Sequence, residues 1–102
     1  MTYAVTTDVP GLPAEVYDDV HRRMLERFGD SFDGLLVHLA RQTTDGMQVI
    51  EVWRSREDYE RAGREVVGPV MAEVLAGAAP PEEVITPFEV RGLVLPAAGV
   101  AV

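Results

Sequence analysis

The strongest constraint on this chain is a pair of β-like runs, 34–42 and 47–54, separated only by Thr43-Thr44-Asp45-Gly46. So short a connection permits only an antiparallel hairpin. Asp-Gly favours a type I′ turn, because that turn needs positive φ at both central residues. With Asp45 and Gly46 as the loop residues, Thr44 faces Met47. Counting outward sets His38 opposite Trp53, Leu39 opposite Val52 and Ala40 opposite Glu51. Period-two alternation then gathers Leu36, His38, Ala40, Gln42, Val49, Glu51 and Trp53 on one face. The other face holds Leu35, Val37, Leu39, Ile50 and Val52, with Arg41 and Arg54 near its ends.

The flanking segments supply the other elements. Residues 3–9 form a β-rich stretch that stops at the Pro10-Gly11 turn signal. Pro13 suits the first position of a helix, and Val16, Val20, Met24 and Phe28 follow at spacing four, flanked by Tyr17, His21 and Leu25, until Gly29 closes it. Ser55 caps a second helix, with Asp58 three residues on, and Tyr59, Ala62, Val66 and Val67 line its buried side. Gly68-Pro69 should break or kink that helix, and Pro69 begins a further short one to about Leu75. The last strand runs from about 83 to 95, and Pro87 within it demands a sheet edge or a bulge.

The order is β-α-β-β-α-β, an α+β, ferredoxin-like arrangement with a four-stranded antiparallel sheet. At 102 residues the chain supports one core, which gives a single domain over 1–95 and a small apolar tail over 96–102 that is either disordered or dresses a partner subunit. Two helices can cover only one side of such a sheet, and both sides are rich in apolar residues. A second copy is the simplest cover, giving a homodimer with sheets packed face to face.

Composition excludes several classes of function. A net charge of -8 disfavours nucleic acid and anionic membrane surfaces, both of which select basic faces. No window approaches the ~20 apolar residues of a membrane span, and 1–8 lacks the basic residue of a signal peptide. There is neither cysteine nor lysine, so thiolate and Schiff-base chemistry are absent and no disulfide framework exists, which suits a cytoplasmic protein. Ser31 and Ser55 lie outside any Gly-x-Ser-x-Gly elbow, and no glycine-rich phosphate loop is present.

The face shared by His38, Glu51, Trp53 and Gln42 is the candidate site, with Val49 beside them. Histidine ionises near neutral pH and suits a general base, a carboxylate can orient it, and tryptophan can stack on a ligand. Two readings stand: this set faces a ligand, or it is a satisfied structural network with Trp53 as core. Tyr59, six residues after Trp53, either donates into the same space or packs with its hydroxyl at the surface. His21 and Tyr17, on one helix at spacing four, either border the apolar stripe or line a pocket. The histidines sit on different elements without carboxylates at ligand spacing, so neither metal nor cofactor is expected.

At 34–40, at 45–59 and at Gly68-Pro69 the sequence resembles the ABM-like group, the antibiotic-biosynthesis monooxygenase relatives of the dimeric α/β-barrel superfamily. The Glu51-Val52-Trp53-Arg54-Ser55-Arg56-Glu57 segment is the most specific part, and the element order extends the resemblance over nearly all the chain. The resemblance implies a dimeric α/β barrel with a small-molecule cavity between sheet and helices. Members include cofactor-independent oxygenases of aromatic polyketides, heme-degrading enzymes and small isomerases or cyclases. Trp53 and Tyr59 are similar to the strand tryptophan and helix tyrosine of the polyketide oxygenases. Their strand asparagine falls on Val49, and the stretch after Tyr59 carries no clear equivalent of their cavity arginine. The histidine that many members carry early in the second helix falls at Ala62. The chain has no asparagine, which the heme-degrading members need.

Two functions follow as expectations. One is a small cofactor-independent enzyme acting on a hydrophobic or aromatic metabolite, as a monooxygenase or as an isomerase or cyclase. There His38 is the base, Glu51 orients it, Tyr59 donates to a developing oxyanion, and Trp53, Gln42, Val49, His21 and Tyr17 bind substrate. The other is a non-catalytic dimeric protein that binds a small molecule in the same cavity. Elemental analysis of the purified protein should find no stoichiometric transition metal; a metal whose removal by chelator unfolds the chain would sink the metal-free expectation.

Overall fold

A computed structural model describes residues 2–29 and 32–102; Ser31, with Met1 and Asp30, lies outside the described residues. β1 (Tyr3–Pro10), β2 (Leu35–Gln42), β3 (Gly46–Trp53) and β4 (Val84–Phe88) form an antiparallel sheet in the order β2-β3-β1-β4. α1 (Ala14–Phe28) crosses from β1 to β2, and a second helical segment crosses from β3 to β4. This is the ferredoxin-like α+β arrangement. Pro13 lies one residue earlier than expected, at the N-cap, where its extended φ of -66° and ψ of 144° lead into the first turn. Gly29, at φ 62°, closes the helix through its N–H to the Leu25 carbonyl.

The hairpin register differs from the expectation by two residues. Gln42, not Thr44, faces Met47, so His38 lies opposite Glu51, Leu39 opposite Ile50 and Ala40 opposite Val49. The loop residues are Thr44 and Asp45, closed by Thr43 N–H to the Gly46 carbonyl at 2.8 Å, and neither has positive φ. Gly46 is a strand residue paired with Pro10 on β1, and a Cβ there would strike the Val9 carbonyl oxygen. Glycine is therefore needed for the close approach of β1 rather than for a type I′ turn. A bulge at Leu36 shifts the pairing by one further residue, so that Leu35 faces Trp53. A slip of two preserves the facing of every side chain between turn and bulge.

The further short helix expected from Pro69 to about Leu75 is present, but the expected break at Gly68-Pro69 is instead a change of helix type without a gap. α2 (Arg56–Ala62) runs into a π-helical turn (Gly63–Val67) and then into α3 (Gly68–Leu75). Pro69 has no N–H to give and cannot sit over an ordinary preceding turn. The wider π turn accommodates it, with Gly68 N–H bonded to the Gly63 carbonyl and no room there for a Cβ. Ser55 caps α2 as expected, its Oγ accepting from Asp58 N–H at 3.1 Å.

The last strand is shorter than 83–95 and stops at Phe88. It lies at the sheet edge, as Pro87 requires. Residues 94–101 form their own small hairpin, β5 (Val94–Leu95) with β6 (Val100–Ala101), across a 3-10 turn at Pro96–Ala98. The tail over 96–102 is thus folded back on 93–95.

Val5, Val9, Met47 and Trp53 are buried on the helix side of the sheet, where Val20 of α1 and Val70 of α3 meet them. On the opposite side Val37, Val52, Ala4 and Phe88 form one cross-strand row and Leu39, Ile50, Thr6 and Thr86 the next. Leu39 is 57% exposed and Phe88 44%. Gly46→Ala should destabilise by about 1–3 kcal/mol, since a Cβ directed at backbone cannot be relieved by a rotamer change. A urea midpoint equal to wild type would refute the close-approach role.

Candidate active site

Three elements converge on the helix side of the sheet. β2 presents His38 and β3 presents Glu51 directly opposite, with Trp53 two residues on along the same face. α1 brings Tyr17 over the strands, one helical turn before His21. The Glu51 carboxylate takes a hydrogen bond on each oxygen: His38 Nδ1 lies 2.7 Å from Oε2, and Trp53 Nε1–H donates to Oε1 at 3.2 Å. The Tyr17 hydroxyl lies 2.7 Å from His38 Nε2 and 3.4 Å from His21 Nδ1. The rings of Tyr17, His21 and His38 stack nearly parallel, with the two imidazole centroids 5.5 Å apart.

Tyr59, on the first turn of α2, packs edge-on against Trp53 at 6.1 Å and against Tyr3 at 5.3 Å. Burial pushes the phenols of Tyr17 and Tyr59 above their ordinary value of 10.0, and the Glu51 charge adds to the shift in both. Both remain protonated at neutral pH and act there as hydroxyl groups rather than as phenolates.

These side chains open on a cavity of about 910 Å³ between the sheet and the helices. Its walls are mainly apolar: Val16, Val20 and Met24 of α1, Val49 of β3, and Met71 and Leu75 of α3. Folded cores ordinarily leave few voids larger than a water molecule, so a space this large marks a place where packing gives way to a binding volume. His38, Glu51, Trp53, Tyr59, Tyr17 and Val49 all line it.

The remaining candidates lie elsewhere. His21 touches the Tyr17 hydroxyl without lining the cavity, and Gln42 is exposed at the turn end of β2 opposite Met47. Sequence reasoning overlooked Thr7, Glu60 and Glu83, which also line the space. Thr7 was legible in principle, since it alternates with Val5 and Val9 on β1. The two histidines, expected apart, meet over Tyr17. Among the described residues, no group of three or more His, Cys, Asp or Glu side chains is placed to hold a metal ion. Glu51→Gln keeps the carboxylate's size but removes the charge that acts on both phenols. It should therefore lower the ionisation midpoints of Tyr17 and Tyr59 in a spectrophotometric titration, and unchanged midpoints would refute the Coulombic coupling.

No protein-family model matches the sequence, and no curated protein matches it. Solved structures do match its fold. SnoaB, a cofactor-independent oxygenase from Streptomyces nogalater, is 24% identical over 93% of this chain and 95% of its own, with a TM-score of 0.55. A structure from Caulobacter crescentus described as an antibiotic biosynthesis monooxygenase is 15% identical over 87% and 89%, with a TM-score of 0.66. A dimeric protein of unknown function with a ferredoxin-like fold, from Bacteroides fragilis, is 9% identical over 87% and 96%, with a TM-score of 0.58. At these identities the likeness is one of fold alone, the ferredoxin-like fold described above.

Proposed function

We propose that this chain is a small cofactor-independent enzyme that removes a proton from a hydrophobic, aromatic metabolite, working as a homodimer in the cytoplasm. The observation that carries this reading is the hydrogen-bonded line Glu51–His38–Tyr17 ending in an apolar cavity. A carboxylate on Nδ1 fixes the imidazole's orientation and stabilises the imidazolium that forms when the ring accepts a proton. Tyr59 offers aromatic surface to a flat ring, with the buried Trp53 packed edge-on against it, and the Tyr59 hydroxyl is available to a developing oxyanion. Oxygenation then needs a substrate anion electron-rich enough to reduce dioxygen itself. Isomerisation and cyclisation need only the same proton transfers. The ABM-like neighbours, SnoaB among them, support the oxygenase member of this set.

The second reading is a non-catalytic small-molecule-binding protein. It is favoured by Val49, on which the resemblance places the asparagine of the polyketide oxygenases, and by a cavity that no arginine lines among the described residues. A thermal-shift screen with aromatic metabolites, followed by turnover assays on each hit, separates the two. His38→Gln should lower turnover by about 10²–10⁴-fold, the usual contribution of a general base, while a hit still binds. Stabilising ligands that are never converted would leave only the binding reading.

The dimer reading is supported by the exposed apolar side chains Leu39 and Phe88 on the sheet's other face, by only enough helix for one sheet face, and by the dimeric fold neighbour. Light scattering should give about twice the 11.2 kDa chain mass, and Leu39→Glu should shift the molecule toward monomer. A wild-type monomer at micromolar concentration would overturn the assembly.

A further inference from the structure

Within the proton-abstraction reading, the base cannot meet a substrate directly. Both ring nitrogens of His38 are occupied, Nδ1 by Glu51 Oε2 and Nε2 by the Tyr17 hydroxyl, each at 2.7 Å. The carboxylate only accepts, so Nδ1 carries the hydrogen, and the neutral ring's Nε2 accepts the Tyr17 O–H. That leaves the lone pairs of the Tyr17 oxygen on a residue that lines the cavity.

We infer that Tyr17 is the group that touches the substrate and takes its proton, and that the substrate is an uncharged aromatic bearing a phenolic or enolic hydroxyl. The substrate O–H bond breaks and its proton forms a new O–H bond on Tyr17, while the proton already on Tyr17 passes to His38 Nε2. The electron pair stays on the substrate oxygen, and nothing is oxidised or reduced. The products are a substrate anion and an imidazolium held by Glu51, so the cavity's net charge is the same before and after. Of the charged and titratable groups about the Tyr17 hydroxyl, His38 lies nearest. His21 is a weaker partner at 3.4 Å, and Glu51 and Asp18 act through their charge. Burial keeps Tyr17 a neutral phenol, as a group that hands on a proton requires.

The charge of the walls selects the substrate class. Glu51 lines the cavity largely buried, beside the exposed Glu83 and the exposed, Arg56-paired Glu60, and no arginine lines it among the described residues. A carboxylate or phosphate ester would enter against like charge in a low-dielectric space, whereas a neutral hydroxyl would not.

The probe is 6-nitro-2-naphthol, whose anion absorbs in the visible. Bound to wild type, its anion-to-neutral ratio at fixed pH should rise at least about tenfold over the free probe, equivalent to ~1.4 kcal/mol. Tyr17→Phe should still bind the probe but return the ratio to that of free solution. In wild type, ¹⁵N spectra of His38 should show both ring nitrogens protonated as the bound probe ionises, a readout that needs no variant. 6-Nitro-2-naphthoate should bind more weakly than the naphthol. A Tyr17→Phe protein that still ionises the probe, with His38→Gln failing to, would overturn the role of Tyr17 and leave His38 as the direct base. A neutral His38 beside an ionised probe would overturn the relay, and equal binding of the naphthoate would overturn the substrate class. Wild type that binds the probe without ionising it, or does not bind it, would overturn the proton-abstraction reading itself.

Discussion

One carboxylate organises the helix side of this sheet. Glu51 sits at mid-strand, where an isolated charge would be costly, and each of its oxygens receives an N–H, from His38 on one side and Trp53 on the other. The two bonds fix the imidazole and the indole relative to each other, and through His38 they fix the Tyr17 hydroxyl as well. α1 is thereby tied to the strands by a polar bridge as well as by the apolar contact of Val20. No buried side-chain nitrogen or oxygen among the described residues lacks a hydrogen-bond partner, so the polar network is closed within the fold.

What could be read from the sequence follows from which quantities tolerate error. Strand facing depends only on parity, so the shared face of His38, Glu51 and Trp53 survived a register that was wrong by two. The register itself depended on Gly46, and its role was invisible locally. β1, more than thirty residues earlier in the chain, presses its backbone on that position. The helix at 14–28 was legible from the spacing of Val16, Val20, Met24 and Phe28, because periodicity is set by the one face that must be buried. The partner of His38 was harder to read. Tyr17 lies twenty-one residues away on another element, and its approach depends on how α1 crosses the sheet, which no local spacing encodes.

Gly68-Pro69 shows the same limit in a helix. Proline and glycine together are a reasonable stop signal, and an ordinary α-turn could not have continued through them. The chain instead widens by one π turn, with Gly68 packed too closely on the Gly63 carbonyl to admit a Cβ. The cost in helix geometry is offset by position, since Gly63, Val67, Gly68 and Met71 all form cavity wall. Stopping the helix at Ala62 would have left that wall to a loop with its own backbone groups to satisfy.

The two sides of the sheet carry different physical demands, and together they bound the chemistry. The helix side is incompletely packed, because α1 and α3 pack against each other and leave the cavity beside them unfilled. The opposite side leaves Leu39 and Phe88 at the surface, although Ala4 and Val52 on that side are buried. A protein of this size can leave space in its core only if the rest of its apolar surface is well used. A partly exposed second face and an unfilled first one are therefore linked: the stability forgone around the cavity must come from elsewhere, and the sheet face around Leu39 and Phe88 is apolar surface left to supply it. Assembly through that face would stiffen β2 and β3 from behind, and these are the strands that hold His38 and Glu51 within hydrogen-bond distance.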